Sequence, residues 1–302
     1  MILSRFEHAV VVVPVRALVF NVDSEVIIRG NQMTDFLPEM SKISRAAGAA
    51  ILKVYEEGDF SIQIKADDSP LTRADLAAHE IIVAGLNALA PEIPVLSEES
   101  DAIDYETRSQ WRRYFLVDPL DGTKEFINRN GEFTVNIALI DDGVPILGVV
   151  YVPVKDVLYA ASQLGEKLAF RIENNERKPI KTRVLDQDQP LTLVASRRHG
   201  GDALASLLQR LESSFPAIDT ANMGSSLKLC LVAEGQADIY PRLAPTSEWD
   251  TAAAQAIVEA AGGLVLDINF EPLRYNTKAS LLNPNFLVIG DETFDWRQVL
   301  ID

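Results

Sequence analysis

The chain has 302 residues, of which 47% are hydrophobic and 24% charged, values typical of a globular protein with one large domain or two fused lobes. Its 44 acidic residues outnumber its 28 basic ones, and the net charge of −16 argues against binding to nucleic acid polymers or anionic lipid. A phosphorylated small molecule would meet the same repulsion, so its binding would require local cations. The single cysteine, Cys230, excludes an internal disulfide and favours core packing and a cytoplasmic location.

The first 32 residues form a predicted N-terminal extension that is not part of the core. Their apolar run, residues 9–20, is interrupted by Pro14 and Arg16 and falls short of the roughly 18 apolar residues of a membrane span. No small-residue cleavage site follows the run, which disfavours a signal peptide. We expect Met33 to be a natural start, and this extension is the only candidate for contact with the cytoplasmic face of the inner membrane.

Two helices are predicted next in chain order. Apolar residues recur at helical spacing over residues 35–55, and Gly58 ends that segment. A second helix is predicted over residues 74–89, with Pro91 just beyond it. Both helices are expected to flank the sheet that follows.

Strand signals dominate the next stretch. The segments RYFLVD, FTVNIALI, PILGVVYVPV and VLYAAS are rich in β-branched and aromatic residues and predict an antiparallel sheet between about residues 112 and 170. The charged segment after it, residues 173–189, lacks apolar periodicity and is predicted to be a linker. Together these elements define a predicted N-terminal α+β lobe, residues 33–188.

The remaining residues, 189–302, alternate between strand and helix signals. LTLVAS, ADIYPR and LVLDI are typical of strands, and helices are predicted over residues 202–214, 225–234 and 251–261. This alternation predicts a C-terminal α/β lobe with helices on both faces of its sheet.

The segment LVDPLDGTKEF places two carboxylates, Asp118 and Asp121, at a predicted tight bend after a strand. Gly122 permits the turn, and Thr123 is placed to cap the helix that follows. Two acids this close repel each other unless one is protonated or a cation lies between them, and oxygen-only ligands favour a hard ion such as Mg²⁺. A surface turn with two solvated acids is the alternative for this motif taken alone.

Further acids follow the same pattern, because each lies at the edge of a regular element. Glu98 and Glu99 end an apolar run, and Asp75 and Asp250 lie at helix starts. Taken singly, Asp75 and Asp250 are more often helix caps. Together with the bend, these carboxylates could hold two or three divalent ions.

Three motifs in this order, LSEES, VDPLDGTKEF and WDTAA, resemble the signature of the lithium-sensitive, Mg²⁺-dependent phosphatases of the inositol monophosphatase superfamily. The segments KADDSPLTRAD, GSSLKLCLVAEGQADIYPR and LNPNF are similar to its bacterial 3′(2′),5′-bisphosphate nucleotidase branch, the CysQ-type enzymes. The resemblance covers about residues 33–286. It implies a layered αβαβα sandwich, in which an antiparallel N-terminal sheet with helices joins the C-terminal α/β lobe.

The resemblance also implies which residues hold metal. The ligands of the first ion would be Glu98, Asp118, the Leu120 carbonyl and Asp121. The ligands of the second would be Asp118, Asp121 and Asp250, and Asp75 would hold a further ion largely through water. Glu98 and Thr123 would orient a metal-activated water, so the implied catalytic residues are Glu98, Thr123 and Asp121.

The implied substrate contacts are spread over both lobes. They are Gly122, Thr123, Ser196, His199, Gly224, Ser225, Ser226, Lys228 and Asp250. For Arg197 and Arg198 in the segment SRRHG, an exposed basic turn is the alternative. The amides and hydroxyls of the segment GSSLK, at a helix start, suit an anion.

The residues after the bend bear on the substrate. DGTKEF resembles the nucleotidase branch, whereas inositol phosphatases more often have DGTTNF. The resemblance therefore implies hydrolysis of the 3′-phosphate of adenosine 3′,5′-bisphosphate to AMP, with the sulfated analogue as a secondary substrate and a role in sulfur metabolism. An inositol or sugar phosphatase and a non-catalytic nucleotide or cation sensor are the alternatives, and a monomer and a homodimer are both open.

Overall fold

The computed structural model describes residues 36–58, 60–65, 70–195 and 202–300, apart from the side chains of residues 202 and 203. The helices are α1 Phe36–Glu57, α2 Arg73–Leu89, α3 Tyr105–Arg108, α4 Thr123–Ile127, α5 Asp202–Ser214, α6 Leu227–Ala233, α7 Glu248–Ala260 and α8 Trp296–Leu300. The strands are β1 Gln63–Ile64, β2 Pro70–Leu71, β3 Val95–Ser97, β4 Arg113–Asp121, β5 Thr134–Asp141, β6 Val144–Val152, β7 Val157–Ser162, β8 Leu168–Glu173, β9 Glu176–Pro179, β10 Leu191–Ala195, β11 Ile218–Asn222, β12 Ile239–Arg242, β13 Leu264–Asp267 and β14 Phe286–Ile289. The predictions for residues 1–32, Ser196 and His199 lie outside the described residues.

The larger sheet has seven strands in sequence order, from β3 to β9. Each neighbouring pair is antiparallel except β3 and β4, which run parallel. The predicted linker is wrong in its first part, because residues 176–179 form the edge strand β9. Asn174 and Asn175 make the connecting turn with φ of 52° and 62°, the left-handed conformation that a two-residue hairpin turn requires.

Helices α1 and α2 cover one face of this sheet. Their buried residues, such as Ile51 and Ile82, form one hydrophobic cluster with Phe115, Ile137 and Val149 of the sheet. The apolar spacing that predicted both helices is therefore the stripe that they bury. None of the helices in the described part of the chain is both long and apolar enough to cross a bilayer.

The second sheet has five strands in the order β11-β10-β12-β14-β13. Strands β11, β10 and β12 are parallel, and β14 pairs antiparallel with both β12 and β13. Residues of α5 and α8, among them Leu211 and Trp296, pack with Leu193 and Ile239 on one face of this sheet. Strands β11 and β14 were not predicted from the sequence.

Helices α6 and α7 lie between the two sheets. Their residues share a hydrophobic cluster with Val150 of the large sheet and with Val288 of the small one. Helix α7 is buried on nearly all sides, and its small alanine side chains let its backbone approach the large sheet closely. A Cβ atom added to Gly148 on that sheet would lie only 2.2 Å from the backbone oxygen of Ala253. The layers run helix, sheet, helix, sheet, helix, which confirms the predicted αβαβα sandwich. The lobe boundary at residue 188 stays a prediction.

Candidate active site

The two acids of the bend are positioned by a bulge at the end of strand β4. The strand does not end at Asp118 as predicted but continues to Asp121, with Asp118 opposite Asn136 and Asp121 opposite Thr134. Between these two pairs, strand β4 advances by three residues and strand β5 by two. Residues three apart on a regular strand face opposite sides of the sheet, and the extra residue of a bulge brings both carboxylates to the same side.

Helix α7 brings the third acid to this point. Asp250 is the third residue of the helix, and its Oδ2 accepts a 2.8 Å hydrogen bond from the backbone N–H of Ser247, the N-cap residue. Each of the acids Asp118, Asp121 and Asp250 has a carboxylate oxygen within 4.8 Å of one on the other two. The acids predicted from separate segments of the chain are thus brought together by the fold.

The electrostatics of this cluster favour a cation. Burial raises the pKa of Asp118 well above its ordinary value, and the negative charges of Glu98, Asp121, Asp250 and Asp75 raise it further. Burial and the charge of Asp121 likewise raise the pKa of Asp250. One buried and two half-buried carboxylates offer only hard oxygen ligands, the donor set that suits Mg²⁺ or a similar divalent ion. The residues therefore fit a divalent cation, which would relieve the repulsion that burial intensifies.

Glu98 follows strand β3 and joins the cluster from the other side. Its carboxyl lies within hydrogen-bonding reach of Asp118, and burial raises its pKa although Lys65 opposes the rise. The Lys65 Nζ lies 2.7 Å from Glu98 Oε1 and 2.6 Å from Glu99 Oε1. Burial acts to lower the pKa of Lys65, but the two carboxylates outweigh it and the net shift is upward. Sequence reasoning missed Lys65, because nothing in its own segment indicates partners in another one.

Asp75 and Thr123 extend the cluster toward helix α2. Asp75 is buried, and its Oδ2 accepts hydrogen bonds from the Thr72 backbone N–H at 2.8 Å and hydroxyl at 2.5 Å. The prediction that Thr123 caps a helix is wrong, because Gly122 occupies the N-cap position with a left-handed φ of 92°. The Thr123 hydroxyl instead lies 3.3 Å from Asp75 Oδ1 and 3.4 Å from the Leu120 oxygen.

A pocket of about 290 Å³ adjoins the acids. Six of the predicted substrate contacts line it: Gly122, Gly224, Ser225, Ser226, Lys228 and Asp250. Further lining residues that sequence reasoning missed include Met223, Tyr240, Arg242 and Phe286. The sequence carried no signal for them, because their own segments indicated only strands or loops.

The pocket holds the local cations that a strongly acidic chain needs for an anionic ligand. Lys228 is 8% exposed, and its Nζ lies 3.4 Å from the Met223 oxygen and 5.8 Å from the centre of the Tyr240 ring. Burial lowers its pKa, and the charge of Asp121 opposes that shift. Arg242 is anchored by hydrogen bonds from its guanidinium to the backbone oxygens of residues 244 and 245, at 3.1 and 2.9 Å.

Asn283, from the segment LNPNF, secures the end of helix α7 that carries Asp250. Its Nδ2 lies 2.8 Å from the Ser247 oxygen and 3.0 Å from the Thr251 hydroxyl oxygen. Its backbone N–H donates to the oxygen of Thr246 at 2.8 Å. These contacts fix the residues on both sides of Asp250.

Sequence comparison identifies the family of the chain. The model of the inositol monophosphatase family matches residues 33–292. A Shigella flexneri protein named 3′(2′),5′-bisphosphate nucleotidase CysQ is 52% identical over 253 residues, which cover 83% of this chain and 98% of the relative. A Haemophilus influenzae protein of the same name is 36% identical over 87% of this chain and 96% of its own length.

Solved structures agree with the sequence comparison. The crystal structure of CysQ from Bacteroides thetaiotaomicron, described as a bacterial member of the inositol monophosphatase family, has a TM-score of 0.75 and 42% identity, covering 88% of this chain and 99% of its own. The suhB protein from Bartonella henselae has a TM-score of 0.67 and 26% identity, over 85% of this chain and 94% of its own. The predicted resemblance is confirmed: the chain belongs to the inositol monophosphatase family, in its CysQ-type branch.

Proposed function

We propose that the chain hydrolyses the 3′-phosphate of adenosine 3′,5′-bisphosphate to AMP and phosphate, with Mg²⁺ as cofactor. The observation that carries the proposal is the convergence of Asp118, Asp121 and Asp250 beside a pocket lined by Lys228 and Arg242. The names of the CysQ relatives support the choice of a bisphosphate nucleotide. The sulfated adenylyl analogue is a proposed secondary substrate, which would place the enzyme in sulfur metabolism.

In this proposal, the acids of the cluster bind the cations and orient the attacking water. Asp118, Asp121, Asp250, Glu98 and the Leu120 carbonyl would hold the cations. When bound, Mg²⁺ supplies positive charge that polarises the phosphoryl group and favours attack by water. Glu98 would orient the attacking water and accept its proton, since burial raises its pKa from the usual value and so favours proton acceptance.

Thr123 and Asp75 complete this arrangement in the proposal. The Thr123 hydroxyl is close to both Asp75 and the Leu120 oxygen, which keeps it on the side of the acids. We propose that it helps Glu98 to fix the water and that Asp75 holds a further ion through water. Most of the rate acceleration would come from positioning and charge neutralisation, as is general for phosphoryl transfer.

The pocket chemistry suits a nucleotide with a second phosphate. The half-buried Met223 offers apolar surface for a base, the pocket wall includes the buried rings of Tyr240 and Phe286, and Lys228 and Arg242 offer positive charge for a phosphate. Gly224 and Ser225 line the same wall, but the Gly224 N–H donates to Glu132 Oε2 at 2.7 Å and the Ser225 hydroxyl to the Glu132 backbone oxygen at 3.1 Å, so these two residues shape the wall rather than supply free donors. We also propose a cytoplasmic location, which the lone cysteine supports.

A phosphate-release assay with Mg²⁺ tests the substrate assignment. We expect kcat/KM for adenosine 3′,5′-bisphosphate to exceed that for inositol 1-phosphate by at least about 100-fold, the effect of two lost charge-assisted contacts. Arg242→Ala should raise the KM for the bisphosphate, whereas Arg112→Ala, at an arginine with 79% of its side chain exposed, should not. Preference for the inositol phosphate would reject the nucleotidase assignment, and absence of any turnover would favour a binding protein.

A further inference from the structure

Three buried polar side chains meet behind Asp121 and are not explained by substrate contact. Thr134 and Asn136 lie on strand β5, and Ser226 lies just before helix α6; each is at most 1% exposed. Polar groups this deeply buried cost stability unless they are hydrogen bonded, so their partners show what they hold in place. Thr134 and Asn136 belong to the larger sheet, whereas Ser226 precedes helix α6, which packs between the two sheets. The three residues therefore connect the larger sheet to the middle helical layer.

The hydrogen bonds of these residues fix the orientation of the amide. The Ser226 hydroxyl has one proton and donates it to Asn136 Oδ1 at 2.9 Å. The oxygen end of the Asn136 amide is therefore occupied, and its Nδ2 faces Asp121 Oδ2 at 3.4 Å. The Thr134 hydroxyl lies 2.9 Å from Ser226 Oγ and 3.4 Å from the same Asp121 oxygen.

The Asn136 amide and the Thr134 hydroxyl both lie near one oxygen of the Asp121 carboxylate. The backbone N–H of Ser226 donates to Asp121 Oδ2 at 2.5 Å, in addition to the two side-chain contacts. Burial raises the pKa of Asp121, and these N–H donors oppose the rise because they stabilise the charged form. With Oδ2 held in this way, we expect Oδ1 to be the oxygen that a cation contacts.

We propose that Thr134, Asn136 and Ser226 are positioning residues that orient Asp121 toward a divalent cation. The proposal rests on the proposed function, since it assumes that the acid cluster holds the cation. It also gives Ser226 a role other than the predicted substrate contact. Its neighbours Ser225 and Lys228 line the pocket, so one short segment shapes both the substrate wall and the cation site.

Calorimetric titration of the full chain with Mn²⁺, without nucleotide, tests the proposal. Thr134→Val removes the hydroxyl and keeps the shape, and we expect the Kd for Mn²⁺ to rise about 10-fold or more, as for other partners of metal ligands. Thr134→Ser restores the hydroxyl and should bind Mn²⁺ like the wild type. Thr192→Val is the matched control, because that hydroxyl lies on β10 and pairs with Arg183.

A second variant keeps the test decisive if Thr134→Val does not fold. Asn136→Asp is isosteric, still accepts from Ser226, and replaces the amide donor with a carboxylate oxygen aimed at Asp121. We expect it to weaken Mn²⁺ binding more than Thr134→Val does, and to raise the Mg²⁺ concentration for half-maximal turnover with the nucleotide KM changed less. Wild-type Mn²⁺ affinity in either folded variant would overturn the inference alone, whereas a wild-type chain that binds no cation would overturn the proposed function.

Discussion

At the scale of single residues, one carboxylate oxygen of Asp121, Oδ2, meets a fixed set of N–H and O–H donors. The same residue belongs to the acidic cluster with Asp118 and Asp250. The sequence predicted the acids of this cluster because carboxylates at the ends of regular elements are unusual enough to notice. It could not predict Lys65 or Arg242, because their roles depend on partners or a pocket that only the folded chain brings near them.

Asp121→Asn tests the central acid of the site. The substitution preserves shape but removes the charge, so we expect turnover to fall by more than the roughly 10- to 100-fold that loss of an outer partner costs. Thermal stability in the absence of cation should be unchanged or higher, since a buried charge with a raised pKa is removed. Phosphate release and thermal unfolding in the absence of cation give the two measurements.

The matched control for this substitution is Asp142→Asn. Asp142 is an exposed turn residue with φ of 53°, a conformation that asparagine adopts equally well. We expect this variant to behave like the wild type. Turnover close to normal in Asp121→Asn would contradict the proposed site.

At the scale of elements, long periodic helices and long apolar strands were predicted, whereas several short or polar strands were missed, including the four-residue apolar strand β14. Helix α2 and strands β4 to β7 have clear periodicity or long apolar runs, and all were predicted. Strand β9 is exposed at every residue, and β11 has the polar sequence IDTAN, so neither shows the pattern of a buried strand. Their pairing with neighbours, rather than their own composition, makes them strands. The bulge in β4 was missed for a similar reason, since its register depends on β5.

Gly148→Ala tests how closely the middle helix is packed on the large sheet. The new Cβ would lie 2.2 Å from the backbone oxygen of Ala253, so helix and sheet would have to separate. We expect a loss of about 1–3 kcal/mol in the free energy of unfolding. Because α7 also carries Asp250, the Mg²⁺ concentration for half-maximal activity should rise as well.

Gly290→Ala is the control for this element. A Cβ there would meet its nearest atom at 3.4 Å, an ordinary van der Waals contact. Denaturant unfolding of both variants gives the comparison. Equal stability of the two would show that the close approach at Gly148 carries no cost.

At the scale of the whole molecule, the acidic cluster links folding to pH and cation. An acid whose pKa is raised by folding binds its proton more tightly in the folded chain than in the unfolded one. In the absence of cation, these groups therefore make the folded chain more stable as the pH falls through the raised pKa values toward the ordinary value of 3.8. A bound divalent cation competes with those protons and would remove this dependence.

Thermal unfolding between about pH 8 and about pH 5 measures this linkage. We expect the Tm in EDTA to rise as the pH is lowered over that range, and the rise to be smaller in saturating Mg²⁺. Asp118→Asn should reduce the slope in EDTA, which separates the cluster from the general effect of the net charge of −16. A slope in EDTA that is the same in the wild type and in this variant would contradict the linkage.

The middle position of helix α7 has a further consequence for how the protein moves. A helix with sheets on both sides has little freedom to fray, because solvent reaches its backbone only when the two layers part. We therefore expect the backbone amides of the helix that carries Asp250 to exchange their protons with solvent more slowly than those of the exposed edge strand β9.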